Sequence, residues 1–197
     1  MKLVLASSNA GKLEELRELL ADTGIELLAQ SELGVDDAEE TGETFVENAI
    51  IKARHAARLT GLPALADDSG ICVDALEGAP GLYSARYAGE HGNASRNIDK
   101  LLDALRDVPE SQRGAHFYCV LVLLHHAHDP QPLIVEGQWH GRILPARQGQ
   151  GGHGYDPVFL DPVHGQSAAE MPLPLKNGLS HRGQALAALK QRLAART

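Results

Sequence analysis

Two adjacent aspartates, Asp67 and Asp68, lie between the apolar runs Ala64 to Ala66 and Ile71 to Val73, and no other feature restricts the fold as much. Two carboxylates buried without partners would be costly, so they require a cation, a hydrogen-bond network or access to water. The interruption Asp67-Asp68-Ser69-Gly70 therefore predicts a strand end or turn. Either carboxylate could then act as a general base on a water.

The flanking segments read as alternating strands and helices. Residues 2 to 6 form a short apolar run that stops at Ser7-Ser8-Asn9-Ala10-Gly11-Lys12, after which Leu13, Leu16, Leu19 and Leu20 recur at helical spacing. Ile25 to Ala29 reads as a second strand, followed by an acidic loop and a helix capped by Thr44 that runs to about Leu59. The segment Glu77 to Gly92 is glycine-rich and irregular. Ile98, Leu101, Leu102 and Leu105 mark a helix from about Ser95 to Arg106. His116 to Leu124 and Leu133 to Trp139 read as long strands joined by a polar turn, and a last helix runs from Leu179 or Ser180 to Ala195. This order predicts an α/β or α+β chain with a mixed sheet, as one continuous domain over residues 1–197 that could fold as two lobes.

Charge narrows the functional classes. The 197 residues include 18 Lys plus Arg against 26 Asp plus Glu, a formal net charge of −8. A pI near 5.6 argues against a surface that binds duplex nucleic acid through its phosphates. No run approaches the roughly 18 apolar residues of a membrane-spanning helix, and the first residues are too short an apolar stretch for a secretory signal. A cytoplasmic protein is expected, with Cys72 and Cys119 buried and structural.

Local clusters suggest chemistry. Ser7 to Lys12 puts backbone N–H groups, a helix N-terminus and a lysine where a phosphate could bind, although Asn9 could equally cap an ordinary turn. Glu39-Glu40-Thr41-Gly42-Glu43 and Asp67-Asp68 could together supply the one or two carboxylates that Mg²⁺ needs, and a glutamate run before a helix also complements its dipole. Asn48 and Lys52 lie one turn apart, so Lys52 is either a second phosphate cation or a surface lysine. Gly151 to Pro157 carries His153 and Tyr155 on a flexible loop that could approach a flat base. Lys176 and Arg182 offer further cations, with Ser180 as a possible helix cap. His125, His126 and His128 lack a matching acid or thiol for a metal site.

Taken in order, SSNAGK, EETGETFVENAIIKA, ADDSG, GAPGLYSARYAG, GGHGYDP and SHRG resemble the inosine triphosphate (dITP/XTP) pyrophosphatase family over nearly the whole chain. The resemblance implies an α/β, two-lobed fold with an elongated mixed β-sheet flanked by helices and a central substrate cleft. It also implies a cytoplasmic homodimer that uses Mg²⁺ to hydrolyse ITP, dITP and XTP to monophosphate and pyrophosphate, clearing deaminated purines from the nucleotide pool. By motif, Ser7, Ser8, Asn9, Ala10, Gly11 and Lys12 would contact the triphosphate, and Glu39 and Asp68 would hold Mg²⁺ with Asp68 as proton acceptor. Ser69 would touch the substrate, His153, Gly154, Tyr155, Asp156 and Lys176 would frame it, and His181 and Arg182 would read the purine 6-oxo edge. His153 stands where the commonest form of its loop has Phe, and imidazole can still stack. Two alternatives are a Maf-like pyrophosphatase acting on other nucleotides and a triphosphate-binding module without turnover. The paired acids argue against the second, since binding alone requires no base.

Overall fold

The computed structural model describes residues 1–195. Its chain divides into two compact units, one made of Met1–Asp68, Cys119–Gly137 and the residues from Arg182 onward, the other of Ser69–Tyr118 and Gln138–His181.

Strands β1 (Lys2–Leu5), β2 (Glu26–Ala29), β3 (Ala64–Val73), β4 (Gly114–Leu124), β5 (Leu133–Ile143), β6 (Phe159–Asp161) and β7 (Gln166–Ser167) form a 7-stranded sheet in the order β2-β1-β3-β4-β5-β6-β7. The sheet is mixed: β1 runs parallel to β2 and β3, while β6 runs antiparallel to β5 and β7. The helices are α1 (Ala10–Leu20), α2 (Phe45–Thr60), α3 (Ala94–Ala104), α4 (Leu173–Leu179) and α5 (His181–Ala194). This is the α/β class expected from the sequence, and none of these helices is long and apolar enough to cross a membrane.

Each unit has its own core. In the first, Leu13, Leu16 and Leu20 of α1 and Leu186 and Leu189 of α5 pack with Leu3, Leu65 and Leu121 of the sheet. In the second, Ile98 and Leu101 of α3 pack with Phe117, Trp139, Phe159 and Met171. There the Trp139 indole N–H donates to the buried Asp161 carboxylate at 2.8 Å, which satisfies both polar groups inside an apolar cluster.

Two expectations need correction. The two aspartates do not end a strand: β3 continues through them, because counter-charges from other elements make their burial tolerable. The last helix, α5, lies where the sequence placed it, and a short helix not expected from the sequence, α4, precedes it and ends at Ser180, whose backbone is extended. Helix α4 carries proline in its first turn, where the missing N–H costs nothing. Cys119 is buried, whereas Cys72 is only half-buried.

Helix α2 brings Asn48 and Lys52 to the sheet, and its start is fixed by reciprocal capping. Thr44 Oγ1 accepts from Glu47 N at 3.3 Å, and Glu47 Oε2 accepts from Thr44 N at 2.8 Å and from Glu43 N at 2.9 Å. Thr44→Ala is expected to cost about 1 kcal/mol. Urea unfolding should show a lower midpoint at unchanged slope, and Thr44→Ser should restore it.

Candidate active site

Successive side chains of a strand point to opposite faces. Asp67 and Asp68, adjacent in β3, therefore meet different helices and acquire different chemistry. Asp67 has no exposed surface. One carboxylate oxygen pairs with Lys12 Nζ of α1; the other accepts from Arg182 Nε of α5 at 2.9 Å and from Cys119 Sγ at 3.3 Å. Arg182, itself buried, also donates through Nη1 to Glu15 Oε2 at 2.6 Å. Burial opposes ionisation of Asp67, but the charges of Arg182 and Lys12, with their hydrogen bonds, outweigh it and hold its carboxyl well below the usual range. Burial likewise opposes the Arg182 charge, and Asp67 and Glu15 more than restore it. The Cys119 thiol is pushed far up by burial and then by the Asp67 charge, so it stays protonated.

Asp68 faces α2. Its Oδ1 accepts from Lys52 Nζ at 2.7 Å, and the same ammonium reaches the Asp67 backbone carbonyl at 2.9 Å and Glu40 Oε1 at 3.1 Å. Here burial dominates: Lys52 lowers the Asp68 pKa only in part, Glu40 raises it, and the carboxyl ends above the ordinary value. Burial pulls the Lys52 pKa down, but Asp68 first, then Glu40 and Asp67, leave it raised. Lys52 is thus no surface lysine, since its side chain is only 13% exposed.

The acidic loop preceding α2 is held close by a glycine. Gly42 N donates to the buried Asn48 Oδ1 at 2.8 Å, and a Cβ on Gly42 would lie 2.6 Å from Glu47 Cβ. Two residues earlier Glu40 turns toward Lys52, while Glu39 is exposed. In the loop after β1, Asn9 Oδ1 accepts from Lys12 N at 3.0 Å and caps α1, Ser7 Oγ accepts from Asn9 N at 3.1 Å, and Ser8 Oγ donates to Asp37. Ser8, Asn9, Ala10 and Gly11 are exposed. Both readings of the loop thus hold at once, a capped turn and an exposed helix N-terminus with Lys12 beside it.

The second unit carries the remaining candidates. Asp156, 4% exposed, accepts from Lys176 Nζ and, through Oδ2, from His153 N at 2.9 Å. Gly152 has a φ of +70°, and a Cβ there would collide with the Asp156 carboxylate, so this turn requires glycine. The Tyr155 hydroxyl donates to Ser84 O at 2.7 Å, and burial, then the nearby Tyr87, raises its pKa far above the ordinary value. Ser84 Oγ accepts from Ile71 N at 2.9 Å, while Asn97 Oδ1 accepts from Ala88 N at 2.8 Å. The segment Glu77 to Gly92, irregular by sequence, is therefore anchored through Ser84 and Ala88. His181 stacks on Phe117 with ring centroids 4.8 Å apart and planes 13° from parallel. Ser69 lies half-buried in β3, directly after Asp68.

The first unit thus brings together Lys12, Asp67, Asp68 and Arg182, with Glu15, Glu40 and Lys52 joining them. The second brings together His153, Asp156 and Lys176, with Phe117 joining His181. Glu15 carried one signal in the sequence, its position three residues after Lys12 on the same helix. For Phe117 only strand alternation was available, and nothing local ranks Glu40 above Glu39. Among the described residues no group of three or more His, Cys, Asp or Glu side chains converges as a metal cage. Mg²⁺ does not require one, because it keeps several waters and takes one or two carboxylates.

The profile of the Ham1 family matches residues 3–192. A dITP/XTP pyrophosphatase of Xanthomonas campestris pv. campestris is 66% identical over 191 residues, spanning 97% of this chain and 96% of that protein. A dITP/XTP pyrophosphatase of Shigella flexneri is 60% identical over 185 residues, spanning 94% of each. Among solved structures, a HAM1 protein from Coxiella burnetii matches with a TM-score of 0.93 at 51% identity, covering 99% of both chains. A Mycobacterium abscessus nucleoside-triphosphatase / dITP/XTP pyrophosphatase matches with a TM-score of 0.79 at 43% identity, over 96% of this chain and 98% of that one. Matched along almost its full length in both sequence and structure, the chain belongs to the Ham1 family.

Proposed function

We propose that this chain is a nucleoside-triphosphate pyrophosphatase, a single domain over its 197 residues, that hydrolyses dITP, ITP and XTP to the monophosphate and pyrophosphate. The observation that carries the mechanism is the division of labour between two neighbouring acids. Asp67 is committed to two cations that hold it ionised at neutral pH, whereas Asp68 binds protons more readily than an ordinary carboxylate. A base must take a proton, so Asp68 is the one suited to it.

The donor set fits Mg²⁺. Glu40 and Asp68 already accept from one and the same ammonium, so two hard carboxylate oxygens converge where a cation is held. Asp68 with Glu40 and Glu39 of the acidic loop would hold the ion. When bound, Mg²⁺ neutralises phosphate oxygens and the charge on departing pyrophosphate. Asp68 accepts a proton as water attacks the α-phosphorus; the new P–O bond forms, the α–β bridging P–O bond breaks, and pyrophosphate leaves. Ser7, Ser8, Asn9, Ala10, Gly11 and Lys12 bind the triphosphate through exposed backbone N–H groups and the Lys12 charge.

Ser69, His153, Gly154, Tyr155, Asp156, Lys176, His181 and Arg182 serve the nucleoside. Donors aimed at a 6-oxo group would be left unpaired against the 6-amino group of adenine, a costly mismatch in a dry site. The same reading makes the protein a cytoplasmic homodimer that acts on free nucleotides, with neither nucleic acid nor a membrane as partner.

With Mg²⁺ and a panel of ITP, dITP, XTP, GTP and ATP, the first three should release pyrophosphate and the last two little. Asp68→Asn should lower turnover by about 10²–10⁴-fold with an unchanged circular dichroism spectrum. Release of orthophosphate, or activity surviving Asp68→Asn, would overturn this reading.

Asp67→Asn should behave differently, because it strands two cations. It is expected to cost about 3–5 kcal/mol of stability at neutral pH. The folded pKa of Asp67 is depressed, so its contribution is complete above the unfolded value of about 3.9 and is lost as pH falls through the lower folded value. Chemical denaturation from pH 7 to 2 should therefore show the gap between wild type and Asp67→Asn closing only at the acid end.

A further inference from the structure

Lys52 Nζ is surrounded by oxygen: Asp68 Oδ1 at 2.7 Å, the Asp67 carbonyl at 2.9 Å and Glu40 Oε1 at 3.1 Å. An ammonium has three N–H donors, and each has an acceptor here. The same set, two carboxylates and a carbonyl, is also the hard-oxygen environment that a small divalent cation takes. Two cations cannot share it. We propose that Lys52 is a built-in placeholder: in the metal-free protein its ammonium sits on the cation position between Glu40 and Asp68, and it must vacate that position when a divalent ion binds. The proposal rests on the reading of Glu40 and Asp68 as metal ligands.

The surroundings explain why a placeholder is useful and why it can leave. Asp68 is largely buried, so without a cation it would face the Glu40 carboxylate across a poorly solvated space. Lys52 removes that repulsion. Glu40 does not depend on Lys52 for its location, however, because Gly42 N on Asn48 Oδ1, and Glu43 N and Thr44 N on Glu47 Oε2, fasten its loop to α2. Departure of the ammonium therefore leaves both carboxylates near their positions. Lys52 itself is a flexible four-carbon arm on α2, and once displaced it remains beside the ion as a cation for phosphate. Metal entry and phosphate affinity are thereby coupled: the ion competes with Lys52 for carboxylates and frees it for the substrate.

A site occupied by its own lysine binds metal more weakly by the fraction of molecules in which the position is open. Mn²⁺, followed by the electron paramagnetic resonance signal of the free ion, reads this in nucleotide-free protein without any turnover. Lys52→Met should bind Mn²⁺ roughly tenfold more tightly than wild type. Without metal it should melt earlier, and the gap should close as Mn²⁺ is added. Lys52→Gln, which keeps donors but not charge, should shift affinity in the same direction and guards against a misfolded Lys52→Met; Lys52→Arg should stay near wild type. Glu40→Gln and Asp68→Asn should both weaken Mn²⁺ binding. Loss of binding in those two with no gain in Lys52→Met or Lys52→Gln overturns the placeholder while leaving the metal ligands in place. Unchanged Mn²⁺ affinity in Glu40→Gln and Asp68→Asn overturns the ligand reading, and the placeholder with it.

Discussion

The carboxylate of Asp67 is the constraint on which the first unit is built. With no access to water it can remain ionised only if cations come to it, and they come from both ends of the chain: Lys12 from the first helix and Arg182, 115 positions away in sequence, from the last. Glu15 then answers the second half of the guanidinium, so two acids and two cations close into a neutral cluster. Such a cluster adds little net stability over an apolar core of equal volume, because desolvation consumes most of its attraction. Its effect lies in specificity. Leucine stripes on α1 and α5 would tolerate small slips against the sheet, whereas a buried carboxylate with two directional donors does not.

The same strand geometry explains why acids one residue apart differ so much. Alternation turns Asp67 toward α1 and α5 and Asp68 toward α2, so the charges that neutralise the first are unavailable to the second. Asp68 pairs with Lys52, which it shares with Glu40, and burial then prevails over attraction. Proton affinity is raised at one position and depressed at the next without any change in residue type.

Much of this was legible in the residues. The first strand, its loop and helix, the Thr44 cap and the stripe on α3 follow from local pattern, since each is decided by neighbours within a turn or two. The continuation of β3 through its two acids was not, because the cations that permit it arrive from distant elements. Lys52 was ambiguous for the same reason: its spacing from Asn48 fixes a helix face, and only the fold decides whether that face meets water or carboxylates. Strands β6 and β7, with 3 and 2 residues, are too short for periodicity to register. What the motifs could not supply was each side chain's partner, and thus whether Glu39 or Glu40 turns inward.

Burial of an acid is therefore a poor guide to its role here, and the number of donors it satisfies is a better one. Asp156 in the second unit is nearly as buried as Asp67 and is answered in a similar way, by Lys176 and by the backbone N–H of His153, in a turn that admits only glycine at position 152. Asp67 has both carboxylate oxygens engaged, and Asp156 accepts from both of these donors through Oδ2. Asp68 differs because the Lys52 ammonium it accepts from also serves Glu40 and the Asp67 carbonyl. The role proposed for Asp68 rests on that sharing: a counter-charge divided between Asp68, Glu40 and the Asp67 carbonyl is one that a proton or a metal ion could replace.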